Sequence, residues 1–401
     1  MNIAAALARA RAFLHRKGIE AAALEAEVLL AHVLGTDRVG LYREAHRTLT
    51  REERVRFEEM LSRRAAGEPV AYLTGHREFM GLDFLVTRDV LIPRPETELL
   101  VEMALEILGR GDVPGEPLLA DVGTGSGAIA VSLARYLARG TVYATDISPA
   151  ALAVAAENAR RHGVTGRIVF LSGDLLAPVR EILPPGSLVL VAANLPYIPS
   201  ADIGRLMPDV ACYEPHLALD GGADGLELYR RLVPQARELL VPGGHLLMEI
   251  SPGQVSLLGP LFPPDTWQYR VHRDLAGRER LVVARKKAPF QGRAVHTVKR
   301  PVKKISRPLV TVSQRQLRCP SMFWARWESL TNNNPTPTRA SAPPRPKAST
   351  RPSPTRGVPL PMERSITVRA PGQGKSPFVI PTSNTPQRSR PTPAPAGRCT
   401  L

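Results

Sequence analysis

Cysteine is scarce. The 401 residues include three, Cys212, Cys319 and Cys399. None has metal-ligand spacing, so a disulfide framework and a cysteine-held metal are both excluded, no metal is expected, and a reducing compartment, the cytoplasm, is. No apolar run reaches the roughly 20 residues of a membrane helix, so no membrane partner is expected. Acid is missing at the start: Arg9, Arg11 and Arg16 precede the first acidic residue, Glu20. This faintly resembles a transit peptide, but the same apolar spacing continues into acid-containing helices, which favours an ordinary first helix. Acid is missing again at the far end. From Lys286 onward lie 22 of the 53 Lys and Arg and 20 of the 39 prolines, but 2 of the 37 acidic residues. The first 285 residues hold the other 31 basic and 35 acidic side chains, so the net charge of +16 belongs to the tail. High overall basicity is therefore no argument for a body that grips nucleic acid. Stretches such as Pro343-Pro344-Arg345-Pro346 cannot build a core. Residues 286–401 are expected to be a disordered tail that touches nucleic acid non-specifically, if at all; a dispensable extension is the other reading.

The remaining 285 residues are long enough to bury a sizeable core and suggest two domains. Residues 2–66 read as helical. Ile3, Leu7, Ala10 and Leu14 recur at helical spacing, a second apolar-faced helix stops at Gly35, and a short piece spans Val39 to Arg43. Thr50 with Glu53 predicts a capping box, followed by a helix burying Val55, Phe57, Met60 and Leu61. The expected domains are 1–75 (helical, substrate-docking), 76–96 (hairpin and linker), 97–285 (catalytic) and the tail. Residues 67–75 read as a turn-rich connector. Residues 79–86 and 90–92 alternate like a β-hairpin. Pro93 and Pro95 then stiffen a loop carrying Arg94, Glu96 and Thr97, which either lines a cleft or starts a helix with Thr97 as its cap.

From Leu118 strands and helices alternate. Strands are expected near 118–122, 141–145, 167–171, 187–193, 244–250, 267–272 and 279–284, and helices near 126–138, 149–162, 225–240 and 253–259. The pattern predicts an α/β fold, a mostly parallel Rossmann-like sheet covered on both faces, with ligands beyond the carboxyl ends of its strands. Asp121-Val122-Gly123-Thr124-Gly125-Ser126-Gly127 follows the first strand. Its G-x-G-x-G spacing is not the dinucleotide fingerprint. Asp146 ends the second strand, where a carboxylate accepts ribose hydroxyls, so loop and acid together imply a nucleoside ligand. Asp174 follows the third strand. Asn194-Leu195-Pro196-Tyr197 follows the fourth. The Asn194 side-chain carbonyl and the Leu195 backbone carbonyl are placed to accept both hydrogens of a planar –NH2 group, and Tyr197 offers a flat face to the substrate. Two such acceptors would aim the nitrogen's otherwise delocalised lone pair at an electrophile.

These motifs resemble those of the protein-(glutamine-N5) methyltransferases that modify peptide chain release factors. The likeness covers nearly all of residues 1–285. It rests on Gly67-Glu68-Pro69-Val70-Ala71-Tyr72, Leu91-Ile92-Pro93-Arg94-Pro95-Glu96-Thr97-Glu98, the glycine loop, Asn194 to Ile198, and Tyr213-Glu214-Pro215 with Leu217-Ala218-Leu219-Asp220-Gly221-Gly222. The resemblance implies a class I methyltransferase that uses S-adenosyl-L-methionine, and a helical N-terminal domain that docks the substrate protein. It implies as substrate the glutamine of the Gly-Gly-Gln loop of release factors, hence a place in translation termination. Carried over, Gly123, Thr124, Gly125, Ser126 and Gly127 would line the methionine part of the cofactor, Asp146 its ribose, and Asp174 with Leu175 its adenine. Asn194, also beside the cofactor, would hold the glutamine amide with Leu195, Pro196 and Tyr197. Leu195 departs from the proline of most relatives, and Leu175 from the aromatic that many carry. The enzyme is expected to be a monomer.

Two other readings stay open at this stage. One is methylation of another protein glutamine, as on a ribosomal protein, or of an adenine amino group in RNA or DNA, whose Asn-Leu-Pro-Tyr motif is similar. The other is a ribosome- or RNA-binding protein whose function lives in the tail.

Overall fold

The structure, a computed structural model, describes residues 1–110 and 115–288. The tail from 289 onward lies outside the described residues.

Five helices open the chain. α1 (Ile3–Arg16) is capped by Asn2, whose side chain accepts from the Ala5 N–H. α2 (Ala22–Leu34) ends at the left-handed Gly35, and α3 (Arg38–Arg43) is capped by Asp37. α4 (Arg51–Ala65) starts with the expected capping box: Thr50 accepts from the Glu53 N–H, and Glu53 from the Thr50 N–H. Ile3, Leu14, Leu29, Leu30, Leu41 and Phe57 form the core of this bundle. Val55 is exposed instead of buried; two residues from Phe57 along a helix it points almost the opposite way. The stretch after Gly67 is not all turn, since Val70–Thr74 forms a short helix, α5, behind Pro69.

The hairpin pairs β1 (His76–Phe79) with β2 (Leu82–Leu85), closed by Met80 and Gly81, both at positive φ. This two-residue turn takes the partner strand before residue 90 is reached. Val90 is buried outside any strand, packed with Val86, Ala151 and Val154. A 3-10 turn, Pro95–Thr97, leads into α6 (Glu98–Arg110).

The remaining order is β3 (Leu118–Val122), α7 (Ala128–Tyr136), β4 (Thr141–Asp146), α8 (Pro149–Arg161), β5 (Ile168–Ser172), α9 (Ala177–Arg180), β6 (Leu188–Ala193), α10 (Pro208–Ala211), α11 (Glu227–Leu239), β7 (Leu240–Glu249), β8 (Trp267–Arg273) and β9 (Glu279–Lys286). The seven strands from β3 to β9 form one sheet in the order β5-β4-β3-β6-β7-β9-β8. β3 to β7 are parallel, β9 runs antiparallel to β7, and β8, antiparallel to β9, runs with the others. One apolar core lies on each face, one around Leu232, Leu246 and Met248, the other around Leu100, Leu133 and Leu190. The helix expected near 253–259 is two 3-10 turns, Gln254–Leu257 and Gly259–Leu261. Gly253 enters at φ +93 and Pro260 interrupts, so no α-helical run can propagate.

Strand order reverses between β3 and β6. From β3 the chain steps outward to β4 and β5, then returns to lay β6 on the other side of β3. Loops leaving such a pair diverge to opposite faces and open a crevice at the carboxyl ends of the strands.

Candidate active site

Register brings three loops together in that crevice. Val122 is opposite Thr145 on β4 and Ala193 on β6, so the glycine loop, Asp146 and Asn194 begin at one level. The N–H groups of Gly123 and Thr124 both donate to the Thr145 carbonyl at 2.9 Å, folding the loop over the end of β4. The Gly125 N–H donates to Asp146 Oδ2 and the Ser148 N–H to Oδ1, each at 2.9 Å. Gly123 has φ +71, and a Cβ there would lie 2.8 Å from Leu195 Cδ2. Only glycine lets the loop pass that close to the Asn194 loop.

A cavity of about 350 Å³ lies over these strand ends. Gly123, Thr124, Gly125, Ser126, Asp146, Asp174, Leu175, Asn194, Leu195 and Pro196 line it. Gly127 and Tyr197 stand outside its wall: Gly127 starts α7 against Ala155, and the Tyr197 hydroxyl is tied to Glu249 beneath the loop. Asp174 faces the cavity but is paired with Arg231, which lines the same wall. Leu175 holds φ +52. A leucine in the left-handed region costs about 1 kcal/mol, and such backbone recurs where loops are shaped round a ligand.

Beneath the loop Asp121 is fully buried. Its Oδ2 accepts from the Thr124 hydroxyl at 2.6 Å and the Ala130 N–H at 3.0 Å, tying glycine loop to α7, while Oδ1 has no partner. Burial pushes its carboxyl up to about 7 despite these two donors, with nearby Asp146 adding to the rise.

A second buried network supports Asn194. Asn194 Nδ2 donates to Thr97 Oγ1 at 3.0 Å, and the Thr97 hydroxyl donates to Glu249 Oε2 at 2.7 Å. Tyr197 donates to Glu249 Oε1 at 3.2 Å. Thr97 is therefore no helix cap; its hydroxyl faces the strand ends. Glu249, the last residue of β7, is 1 % exposed. Burial raises its carboxyl to about 6, opposed by Thr97, Arg280 and Tyr197 and helped by Glu96. The buried Tyr229 hydroxyl accepts from the Leu195 N–H at 3.1 Å and donates to the Glu249 carbonyl at 2.6 Å. Gln254 Nε2 donates to the Tyr197 carbonyl at 3.0 Å, and Ile198 pairs with Asp220 in a parallel bridge. The loop is thus held from three sides. Arg94 reaches the cavity and pairs with the buried Glu214 at 2.5 Å, joining two of the motifs.

Glu249, Tyr229 and Arg231 are not apparent in a reading of motifs. The signal for Glu249 was present: an acid ending the apolar run Leu246-Leu247-Met248 has to be there for a reason other than packing.

The wall fits S-adenosylmethionine. Each Asp146 oxygen accepts one backbone N–H and keeps a lone pair for a ribose hydroxyl. Thr145 Oγ1, buried on the wall, is an unpartnered hydroxyl, and Asp146 lowers the potential around a cationic ligand.

Comparisons with known proteins give the family. The family model described as the PrmC N-terminal domain matches residues 5–75, and a methyltransferase domain model matches residues 119–212. The release factor glutamine methyltransferase of Moorella thermoacetica is 48% identical over 287 residues, 71% of this chain and 98% of that protein. Those of Geobacter sulfurreducens and Deinococcus radiodurans are 44% and 39% identical, over 63% and 71% of this chain and 85% and 99% of theirs. With such identity across almost the whole of these relatives, and with the glycine loop, Asp146 and Asn194 converging on one crevice, the chain belongs to the release factor glutamine methyltransferase family.

Proposed function

We propose that this chain transfers a methyl group from S-adenosylmethionine to the side-chain amide nitrogen of the glutamine in the Gly-Gly-Gln motif of release factors. The observation that carries this reading is the placement of Asn194 on the cavity wall, its Nδ2 already engaged by Thr97. Its Oδ1 is the atom left to accept from a substrate N–H. When bound, S-adenosylmethionine supplies the electrophilic methyl group. The chain's own groups orient the nitrogen: Asn194 Oδ1 and the Leu195 carbonyl each accept one N–H. That grip opposes conjugation of the lone pair with the amide carbonyl and aims it across the cavity. On taking the methyl group the nitrogen gives up one N–H proton, which passes to solvent water.

Residues 123–126 line the methionine part, Asp146 holds the ribose, and the Asp174-Leu175 backbone shapes the adenine end. Gly127 contributes by starting α7, and Tyr197 through its hydroxyl. The helical domain, residues 1–75, docks the release factor. The enzyme acts as a cytoplasmic monomer in translation termination, with no membrane partner. The near-neutral body favours a protein over a nucleic-acid substrate.

The test is transfer of labelled methyl to purified release factor, to the same factor with its loop glutamine replaced, and to RNA. Label on the first alone is expected. Label on RNA, or on the glutamine-free factor, would refute the assignment.

A further inference from the structure

The Asn194 amide can face the cavity in either of two ways, carbonyl first or –NH2 first, and only the first accepts a substrate N–H. Nothing in the shape of an amide chooses between them, since oxygen and nitrogen are nearly the same size. The choice falls to whatever Asn194 touches on its other side. That is Thr97 Oγ1, and behind it Glu249.

Glu249 is an odd residue to bury. Among the described residues no Lys, Arg or His forms an ion pair with it; Arg280, the cation that most affects it, pairs with Asp274 at 3.5 Å. A carboxylate buried without a cation is costly, and the fold keeps it. Both its oxygens are spent on hydroxyls, Thr97 on one and Tyr197 on the other.

We propose that Glu249 is a positioning residue that sets the polarity of Asn194 through Thr97. A carboxylate accepts and never donates. The one hydrogen of the Thr97 hydroxyl must therefore go to Glu249. The oxygen of that hydroxyl can then only accept, and the group it accepts from is Asn194 Nδ2. The Asn194 carbonyl is left for the cavity. Tyr197 does the same work from the second oxygen, holding the carboxylate so that Oε2 stays on Thr97. If Glu249 is protonated, it can donate to Thr97, whose hydrogen is then released towards Asn194. The amide turns, and its –NH2 meets the substrate –NH2, donor against donor.

The groups facing Glu249 are Thr97 and Glu96 from the 3-10 turn, Tyr197 from the β6 loop, Arg280 from β9, and the Tyr229 hydroxyl on its backbone carbonyl. Arg280 favours the ionised form, Glu96 opposes it, and burial is the largest influence, raising the carboxyl to about 6.

The inference rests on the glutamine-methylation reading. Its test uses the full chain and purified release factor, with kcat, KM and cofactor affinity measured from about pH 5 to 8. Thr97→Val keeps the shape of the side chain and removes the hydroxyl. It is expected to lower kcat about tenfold, the worth of one orienting hydrogen bond, with cofactor affinity within about twofold. Thr97→Ser restores the hydroxyl and is expected to recover kcat to within about threefold of wild type. The wild-type kcat should fall below about pH 6, and Glu249→Gln, which cannot titrate, should lose that acid limb. Wild-type kcat in Thr97→Val, failure of Thr97→Ser to recover it, or an acid limb that survives in Glu249→Gln overturns the proposal. Should Glu249→Gln fail to fold, the Thr97 pair decides alone. Absence of methyl transfer by the wild type sinks the functional reading; equal transfer by wild type and Thr97→Val sinks only the relay.

Discussion

Two carboxyl groups are buried under the crevice, Asp121 and Glu249, and burial makes the ionised form of each costly. For Asp121 the cost has a measurable signature. Its native carboxyl holds a proton up to about pH 7, whereas the unfolded one releases it near 3.8. The native state therefore binds more protons in between, and this residue's contribution to stability is full at low pH and declines as pH rises through about 7. Asp121→Asn removes the decline. In urea titrations the stability of wild type relative to this variant should fall by about 3 kcal/mol between pH 4 and 7; a constant difference would show that the carboxylate is not raised. The sign is the same for Glu249, so acid helps the fold while it harms the activity assigned to this residue. For Asn194→Ala, methyl transfer should fall at least about 100-fold, the usual loss when a preorganised polar contact to the reacting group is removed. Cofactor binding, followed by calorimetry, should largely persist.

At the scale of the element, the Asn194 loop is rigid because neighbouring elements leave it no room. Gly225, at φ +77 before α11, packs so closely that an added Cβ would lie 2.1 Å from the Tyr197 carbonyl oxygen. That oxygen is also where Gln254 is anchored. Gly253 has a similar φ of +93, but open space where a Cβ would go. The two glycines separate backbone strain from displacement of the loop. Gly253→Ala should cost about 1 kcal/mol in chemical denaturation and leave transfer intact. Gly225→Ala should cost several times that, about 3 kcal/mol or more, and abolish transfer in whatever protein folds. Similar losses for both would mean that the clamp on Tyr197 is irrelevant to the site.

For the whole molecule, the joint between the helical bundle and the sheet has an apolar part, Ala71 and Tyr72 of α5 against Val86, Val90, Ala151 and Val154, and a polar part. Glu68, 3 % exposed, accepts from Arg63 on α4 at 2.8 and 2.9 Å and from Arg88 beyond the hairpin at 2.7 Å. Tyr213 reaches back to the Ala66 carbonyl at 2.9 Å. Glu68→Ala should destabilise the protein by about 2 kcal/mol, the scale of a charge-assisted hydrogen bond, and should raise KM for release factor more than it lowers kcat. An unchanged KM would separate this joint from substrate docking. At the far end, β9 runs to Lys286, whose Nζ donates to the Leu240 carbonyl at 2.6 Å, and the Lys287 N–H donates to Thr266 at 2.8 Å. A chain ending at residue 288 should transfer methyl groups like the full chain, whereas one ending at 285 loses both bonds and should melt earlier. Loss of transfer on ending the chain at 288 would place function in the tail.

What is local in physical origin was legible along the chain. Period-2 and period-3.6 patterning located the sheet strands to within a few residues, except that β7 starts at Leu240. The Thr50–Glu53 box marked the start of α4, and glycine spacing marked the turn after β3, because each depends on neighbours a few residues away. The hairpin came out shifted because a turn at Met80-Gly81 competes with the alternation that follows it. Asn194, Asp146 and the glycine loop could be named from sequence, since chain order already assigns them to strand ends. Which way the Asn194 amide faces could not. That depends on Thr97, 97 residues before it, and on Glu249, 55 residues after it, which become neighbours only when β7 pairs with β6 and the 3-10 turn before α6 closes over the crevice. Hydrogen-bond polarity passes through contacts in space, and the tertiary structure alone determines those contacts.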